Sequence, residues 1–159
     1  MKRNIYIDFS YLALLASTFG AVVILGAVVA PTIFNTDAIL YSPLIDNFNA
    51  GIIMGEIFRR FSYWVYLVVL FVAVYEFIMY KKGQRDALIF GSSVTVVFSA
   101  LMFSAVYSPK ILAMQRLGVE ATQSDTFRNI HIASEFDFKI LAYALLILLI
   151  IRLMLLKIK

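Results

Sequence analysis

No charged side chain occurs between Phe9 and Thr36, and this apolar run constrains the fold more than any other feature of the sequence. An α-helix needs roughly 20 apolar residues to cross ~30 Å of hydrocarbon, so the run is long enough to span a membrane. Lys2-Arg3 precede it as in a signal peptide, but the run is longer than a signal region and lacks a small-residue cleavage pattern. We therefore expect an uncleaved membrane helix.

Three further apolar segments follow, and together they predict an all-α fold, an integral membrane four-helix bundle. The fourth segment is the least apolar, because only the stretch between Lys139 and Arg152 is uncharged. It reaches a spanning length if the Arg152 side chain extends to the membrane surface. We expect a single transmembrane domain, residues 1–159, with approximate spans 9–34, 58–80, 87–108 and 128–156.

The composition supports a membrane protein and excludes several kinds of chemistry. Hydrophobic residues make up 62% and charged residues 15% of the chain, against about 45–50% and 25% in soluble domains. The chain has no cysteine and one histidine, which excludes disulfides, catalytic thiols and sites built from several imidazoles. No phosphate loop, nucleophile–base pair or nucleic-acid surface occurs. The sequence favours a non-enzymatic protein without catalytic residues, in contact with the lipid bilayer and not with nucleic acid.

Basic side chains are concentrated at one predicted face of the membrane. The two termini and the short connection after the second span hold eight of the 14 basic residues but only three of the 10 acidic ones. The eight are Lys2, Arg3, Lys81, Lys82, Arg85, Arg152, Lys157 and Lys159. Because basic residues are enriched on the cytoplasmic side, we expect a bacterial cytoplasmic (inner) membrane with both termini in the cytoplasm.

Two similar segments suggest an internal repeat. Ala27–Ile33 reads AVVAPTI and Ala105–Ile111 reads AVYSPKI, with alanine, valine, proline and isoleucine shared. Each segment closes an odd-numbered span, where its proline is expected to stop or kink the helix. The repeat predicts two helical hairpins in parallel, related by an axis along the membrane normal. A chance match is the alternative.

Spans two and four each open with a polar helix face. In span four, Arg128, His131, Glu135, Lys139 and Tyr143 recur at three- and four-residue steps, so they share one face. Such a face either meets water and headgroups or lines a site in the outer half of the bundle. Glu56, Arg59 and Arg60 open span two and either anchor the helix or meet the span-four face. The predicted ligand-binding residues are Glu56, Arg59, Arg60, Lys110, Arg128, His131 and Glu135.

Small residues at four-residue spacing favour close helix packing. They occur at Ala16 and Gly20 in span one and at Gly51 and Gly55 before span two. Packing within the bundle is the first interpretation, and oligomerisation is the second.

His131 is the one candidate metal or haem ligand. Copper could be held by its imidazole and by Glu135, four residues later, with a soft methionine donor such as Met54 or Met114. Haem b could take His131 as an axial ligand.

Three segments carry a resemblance to a known family. They are GAVVAPTIF (Gly26–Phe34), AGIIMGEIF (Ala50–Phe58) and FRNIHIAS (Phe127–Ser134). In this order and spacing they resemble the DUF4149 family of small four-helix membrane proteins, the group similar to transmembrane protein 205. The chain departs from the family at Ile130, where leucine is more common, and at Asp137-Phe138, where asparagine-leucine is common. The resemblance implies the fold and topology and no particular activity.

Three functional hypotheses follow. The first is a protein that binds or transports a small solute or ion through the outer half of the bundle. The second is a redox or cofactor protein that holds haem b or copper through His131. The third is an accessory subunit, a homo-oligomer or a partner in a membrane complex, which uses the long connections and small-residue faces.

Overall fold

The computed structural model describes residues 5–40 and 45–157, and within these ranges all secondary structure is helical. Four of its helices are long and apolar enough to cross a membrane, which confirms the predicted all-α bundle. They are α1 (Ile5–Phe34), α2 (Asn47–Lys81), α3 (Ala87–Arg116) and α4 (Asp125–Lys157). The two longer connections contain a 3-10 turn, Thr36–Ala38, and a short helix, Val119–Thr122.

The helices extend beyond the predicted spans at one or both ends, and polar caps fix the starts of α2 and α3. α2 has 35 residues, which makes it about 50 Å long at 1.5 Å per residue, well above the hydrocarbon thickness. Asp46 caps its start by accepting a hydrogen bond from the Asn49 N–H at 2.7 Å. Asp86 caps α3 in the same way, through the Leu88 N–H at 2.8 Å.

Each odd-numbered helix contains a π-helical turn directly before its proline. The turns are Leu25–Val29 in α1 and Met102–Tyr107 in α3, and Pro31 and Pro109 follow them. Neither proline stops its helix. In a regular α-helix the proline ring collides with the carbonyl four residues earlier, and here that carbonyl lies within the wider π turn. The two segments of the predicted repeat therefore share a local structure.

The four helices form a closed antiparallel bundle. Each helix packs on the next along the chain, and α4 also packs on α1. The start of α1, the α2–α3 connection and the end of α4 meet at one end, where Tyr75 contacts Asp8 and Arg152 contacts Gln84. We call this the terminal end, and we call the opposite end, with the two longer connections, the loop end.

Apolar side chains cover both the interior and the outside of the bundle. The fully buried side chains include Leu15, Val72, Val96 and Leu145. Even so, only 17–44% of the residues in the most apolar 18-residue stretch of each helix are buried. Large apolar side chains that point outward include Leu70, Phe77, Leu88, Phe98 and Met154. A soluble monomer rarely exposes so much contiguous apolar surface, whereas lipid tails solvate it. The surface is that of an integral membrane protein.

Close helix approach occurs at Gly51 and Gly55. A Cβ at Gly55 would lie 2.6 Å from Gln115 Oε1 and 3.0 Å from Leu112 Cδ2. Gln115 is held there because its Nε2 donates to the Gly51 carbonyl at 2.8 Å. At Gly20 an added Cβ would meet nothing within 4 Å. The predicted small-residue packing therefore applies to the α2–α3 contact and not to Gly20.

Gly55→Ala is expected to weaken the α2–α3 contact, because the added methyl group displaces Gln115 from its hydrogen bond. Overpacking of this kind lowers the free energy of unfolding by about 1–3 kcal/mol. Unfolding in mixed micelles of increasing SDS fraction, followed by circular dichroism, measures the change. Gly20→Ala is the matched control, and equal effects of the two substitutions would contradict the packing described.

Candidate functional site

The charged residues predicted on α2 pair with one another, and we call Glu56, Arg59 and Arg60 the Glu56 set. Glu56 Oε2 accepts a hydrogen bond from Arg59 Nε at 2.7 Å, and Glu56 Oε1 accepts one from Arg60 Nε at 2.8 Å. The arginines follow the glutamate by three and four residues, which places all three on one helix face. Arg59 also donates to the Tyr63 hydroxyl at 3.1 Å. Glu56 is thus neutralised within its own helix.

The polar residues predicted on α4 form a second set, and we call Arg128, His131 and Glu135 the His131 set. His131 Nε2 lies 3.2 Å from Glu135 Oε1, and Arg128 Nη2 lies 2.8 Å from Asp125 Oδ1. The ring of Phe127 stacks on His131 with centroids 5.9 Å apart. All four paired side chains are at least 45% exposed. This geometry is that of an exposed helix face.

The structure does not bring the Glu56 set and the His131 set together. In the described part of the chain, every hydrogen bond and ion pair of these residues stays within its own helix. Between the helices, Phe58, Phe103 and Phe138 meet with ring centroids 4.6–5.5 Å apart. The interior of the loop-end half is therefore an aromatic core.

His131 has few neighbours that could complete a metal or haem site. Among the residues that the structure describes, no three histidine, cysteine, aspartate or glutamate side chains converge. Met54, a predicted soft donor, is buried within the bundle, whereas His131 lies at its surface. The copper and haem b hypotheses stay predictions, which the absorbance and metal content of purified protein measure directly.

A groove of about 310 Å³ opens between α2 and α3 towards the loop end. Most of its lining surface is apolar and includes Pro109, Leu112 and Ala113, and its polar part combines guanidinium and hydroxyl groups from both helices. These residues are Arg59, Ser62, Tyr63, Tyr66, Ser104, Ser108 and Arg116. Lys110, the remaining predicted binding residue, is exposed on α3 outside this lining.

The π-helical turn of α3 contributes Ser104 to the lining of the groove. Ser104 lies in this turn, and its hydroxyl is buried without a hydrogen-bond partner in the described structure. The Tyr66 hydroxyl donates to the Ser104 backbone carbonyl at 3.1 Å. Arg116, which also lines the groove, is exposed and forms no ion pair with any described residue. The groove thus offers a guanidinium group that is free to bind an anion, whereas the Ser104 hydroxyl is closed to solvent.

A buried ionic network joins three helices at the terminal end. Arg152 of α4 pairs with Glu76 of α2 through Nη2 and Oε2, and its Nε donates to Glu76 Oε1 at 3.0 Å. Its Nη1 donates to Gln84 Oε1 at 2.6 Å. The Tyr11 hydroxyl of α1 donates to Glu76 Oε1 at 2.6 Å. The guanidinium also lies over the Tyr75 ring, 5.3 Å from its centroid.

Sequence reasoning missed this network. Arg152 was expected to reach the membrane surface, but it is 3% exposed and points into the bundle. The available signal was that Glu76 and Arg152 are opposite charges within apolar spans, where ionisable side chains usually face the interior and pair. The network satisfies its own charges, so it ties the helices together and leaves little capacity for a ligand.

Comparison with protein families identifies the group to which the chain is related. Residues 13–120, more than half of the chain, match the model described as Domain of unknown function (DUF4149). The chain belongs to the DUF4149 family. No curated protein and no solved structure matches it. The predicted family is confirmed, and the likeness to transmembrane protein 205 stays a prediction.

The DUF4149 match covers most of α1 and all of α2 and α3, and it ends before α4. It therefore contains the whole α2–α3 groove and the first two of the three resembling segments. The third segment, Phe127–Ser134, lies outside it, as do the His131 set and Arg152.

Proposed function

We propose that this DUF4149 protein binds a small solute bearing an oxyanion, such as a phosphate or carboxylate group, in the α2–α3 groove. The proposal keeps the solute-binding function predicted for the loop-end half of the bundle. It transfers the main binding role from α4 to α3, with Arg116 and Ser108 beside Arg59. The observation that carries it is an exposed arginine, Arg116, that has no ion-pair partner among the described residues and lies on a groove that Arg59 also lines.

The chemistry of the lining supports an anionic ligand. A guanidinium group matches the oxygens of carboxylate and phosphate with two parallel hydrogen bonds. Arg59 is partly neutralised by Glu56 at 2.7 Å, so Arg116 supplies the net positive charge. The hydroxyl of Ser108 can donate to a further oxygen. The volume of about 310 Å³ lies at the lower end of the range for small-molecule sites.

The interrupted helix beside the groove supports movement of the ligand as an extension of binding. Single π turns are frequent at functional sites, and π turns and prolines are the usual places where helices bend. Both occur in α3, at Met102–Tyr107 and Pro109. A bend there would change the width of the groove. Because such a change could release a bound ligand, transport remains part of the proposal.

Arg116→Gln is expected to weaken phosphate binding at least about tenfold, because it removes one charge-assisted hydrogen bond. Isothermal titration of inorganic phosphate into protein held in nanodiscs of neutral lipid measures the affinity. Arg128→Gln, on the exposed face of α4, is the matched control and should bind as the wild type does. Equal affinities for the two variants would contradict the proposed site.

The oxyanion that binds in the groove could also belong to a lipid headgroup. Native mass spectrometry of protein extracted from membranes containing phosphatidylglycerol distinguishes this source from a free solute. A retained lipid that is lost in Arg116→Gln but kept in Arg128→Gln would assign the groove to a headgroup. The same spectra report the oligomeric state and any copurifying partner subunit.

We also propose that the terminal end faces the cytoplasm of a bacterial cell. The support is the basic charge of the α2–α3 connection, where Lys81, Lys82 and Arg85 cluster. Lys2, Arg3 and Lys159, which add to the predicted charge, lie outside the described residues.

Single cysteines test this orientation cleanly, because the chain contains none. We expect Glu120→Cys, in the second long connection, to react with a membrane-impermeant maleimide in intact spheroplasts. Lys82→Cys should react only after the membrane is opened. The reverse pattern would contradict the proposed orientation.

A further inference from the structure

Asp137 of α4 is a carboxyl group buried in the membrane-embedded part of the bundle. It is 8% exposed, and its Oδ2 has no hydrogen-bond partner in the described structure. Ser99 of α3, which is also buried, is the side chain that interacts with it. The next residue, Phe138, belongs to the aromatic core. Buried polar atoms nearly always have a hydrogen-bond partner, so an oxygen without one among apolar side chains is unusual.

Among the described residues, no cationic side chain forms an ion pair with this carboxylate. Of the helices packed against α4, α1 is uncharged from Phe9 to Phe34 and α3 from Ala87 to Pro109. On α2, Arg59 and Arg60 follow the Phe58 ring that contacts Phe138, but both pair with Glu56, at 2.7 and 2.8 Å.

The charged neighbours on α4 itself are engaged elsewhere or point away. Glu135 pairs with His131, and Lys139 is exposed. An isolated ionised carboxylate in an apolar interior is strongly unfavourable unless a positive partner neutralises it. Within the described chain, that partner does not come from a side chain.

We propose that Asp137 and Ser99 form a binding site for one exchangeable monovalent cation, either a proton or an alkali-metal ion. The carboxylate supplies the charge and the Ser99 hydroxyl supplies a second oxygen. Ionisable residues within membrane helices commonly mark ion pathways and proton relays. The site lies on the α3–α4 contact, is separate from the proposed oxyanion groove, and does not depend on it.

Labelling with dicyclohexylcarbodiimide tests the proposal, because this apolar reagent modifies carboxyl groups that carry a proton in apolar surroundings. Wild-type protein in nanodiscs is labelled in choline buffer free of alkali metals, and the modified residue is mapped by peptide mass spectrometry. We expect the adduct on Asp137 and not on the exposed Glu120 or Asp125. Asp137→Asn should lose it, and Glu135→Gln should keep it.

Titration with sodium or potassium chloride then distinguishes the two cations. Protection of Asp137 by either salt, relative to choline chloride, identifies an alkali-metal site, and unchanged labelling identifies a proton site. If wild-type Asp137 carried no adduct in choline buffer at any pH at which the protein stays folded, the proposal would be overturned. The mapping uses the wild-type chain, so this outcome does not depend on the folding of a variant.

Discussion

Arg152→Met will lower the free energy of unfolding by about 3–5 kcal/mol, the effect expected when one partner of a buried ion pair is removed. The reason is that the Glu76 carboxyl group, whose side chain is only 10% exposed, loses its positive partner. Gln84 loses its hydrogen bond with Arg152, and the hydrogen bond from Tyr11 to Glu76 loses its fixed acceptor position. Unfolding in mixed SDS micelles, followed by circular dichroism, measures the loss.

The matched control for Arg152→Met lies on the same helix. Arg128 pairs with Asp125 at 2.8 Å, but both side chains are mostly exposed, and exposed pairs contribute about 0–1 kcal/mol. Arg128→Met should therefore change stability little. The double variant Arg152→Met/Glu76→Leu should recover much of the loss, because it removes both buried charges. A double variant less stable than Arg152→Met would contradict the pairing.

Phe138→Ala will destabilise the bundle by about 3 kcal/mol or more, as large-to-small changes at aromatic core positions do. The ring packs against Phe58 and Phe103 with centroids 5.5 and 4.6 Å away. Its loss leaves a cavity in the loop-end half of the bundle, and the same unfolding measurement detects it.

Phe136→Ala is the control for the aromatic core, because this ring lies on the same helix but is 66% exposed towards lipid. We expect it to be nearly neutral. If Phe138→Ala were as mild as Phe136→Ala, the loop-end interior would not be the packed core described. A ligand site inside this half of the bundle, which is one of the two interpretations of the sequence, would then regain support.

The four helices were predictable from sequence because the requirement that defines them is local. A stretch such as Phe9–Thr36 must be helical in lipid whatever else the chain does, since its backbone has no other hydrogen-bond partners. The positions at which the helices end were harder to predict. Pro31 and Pro109 looked like helix ends, and the π turns that accommodate them depend on backbone geometry that side-chain types do not specify.

The candidate site was harder to predict because periodicity tells which residues share a helix face and not where that face points. His131 and Glu135 do share a face, as predicted, but it points outward. Arg152 meets Glu76, a residue 76 positions away in the sequence, so its burial depends on helix rotation and long-range packing. The groove likewise arises only when α2 and α3 pack together, which places Arg116 near Arg59.

Locating a bound anion tests the central claim most directly. Selenate has the shape and charge of an oxyanion, and the anomalous scattering of selenium marks its position in crystals of the protein grown in lipid. We predict an anomalous peak in the α2–α3 groove, between Arg116 and the hydroxyl of Ser108. A peak on the α4 face beside His131 and Arg128, with an empty groove, would contradict the account.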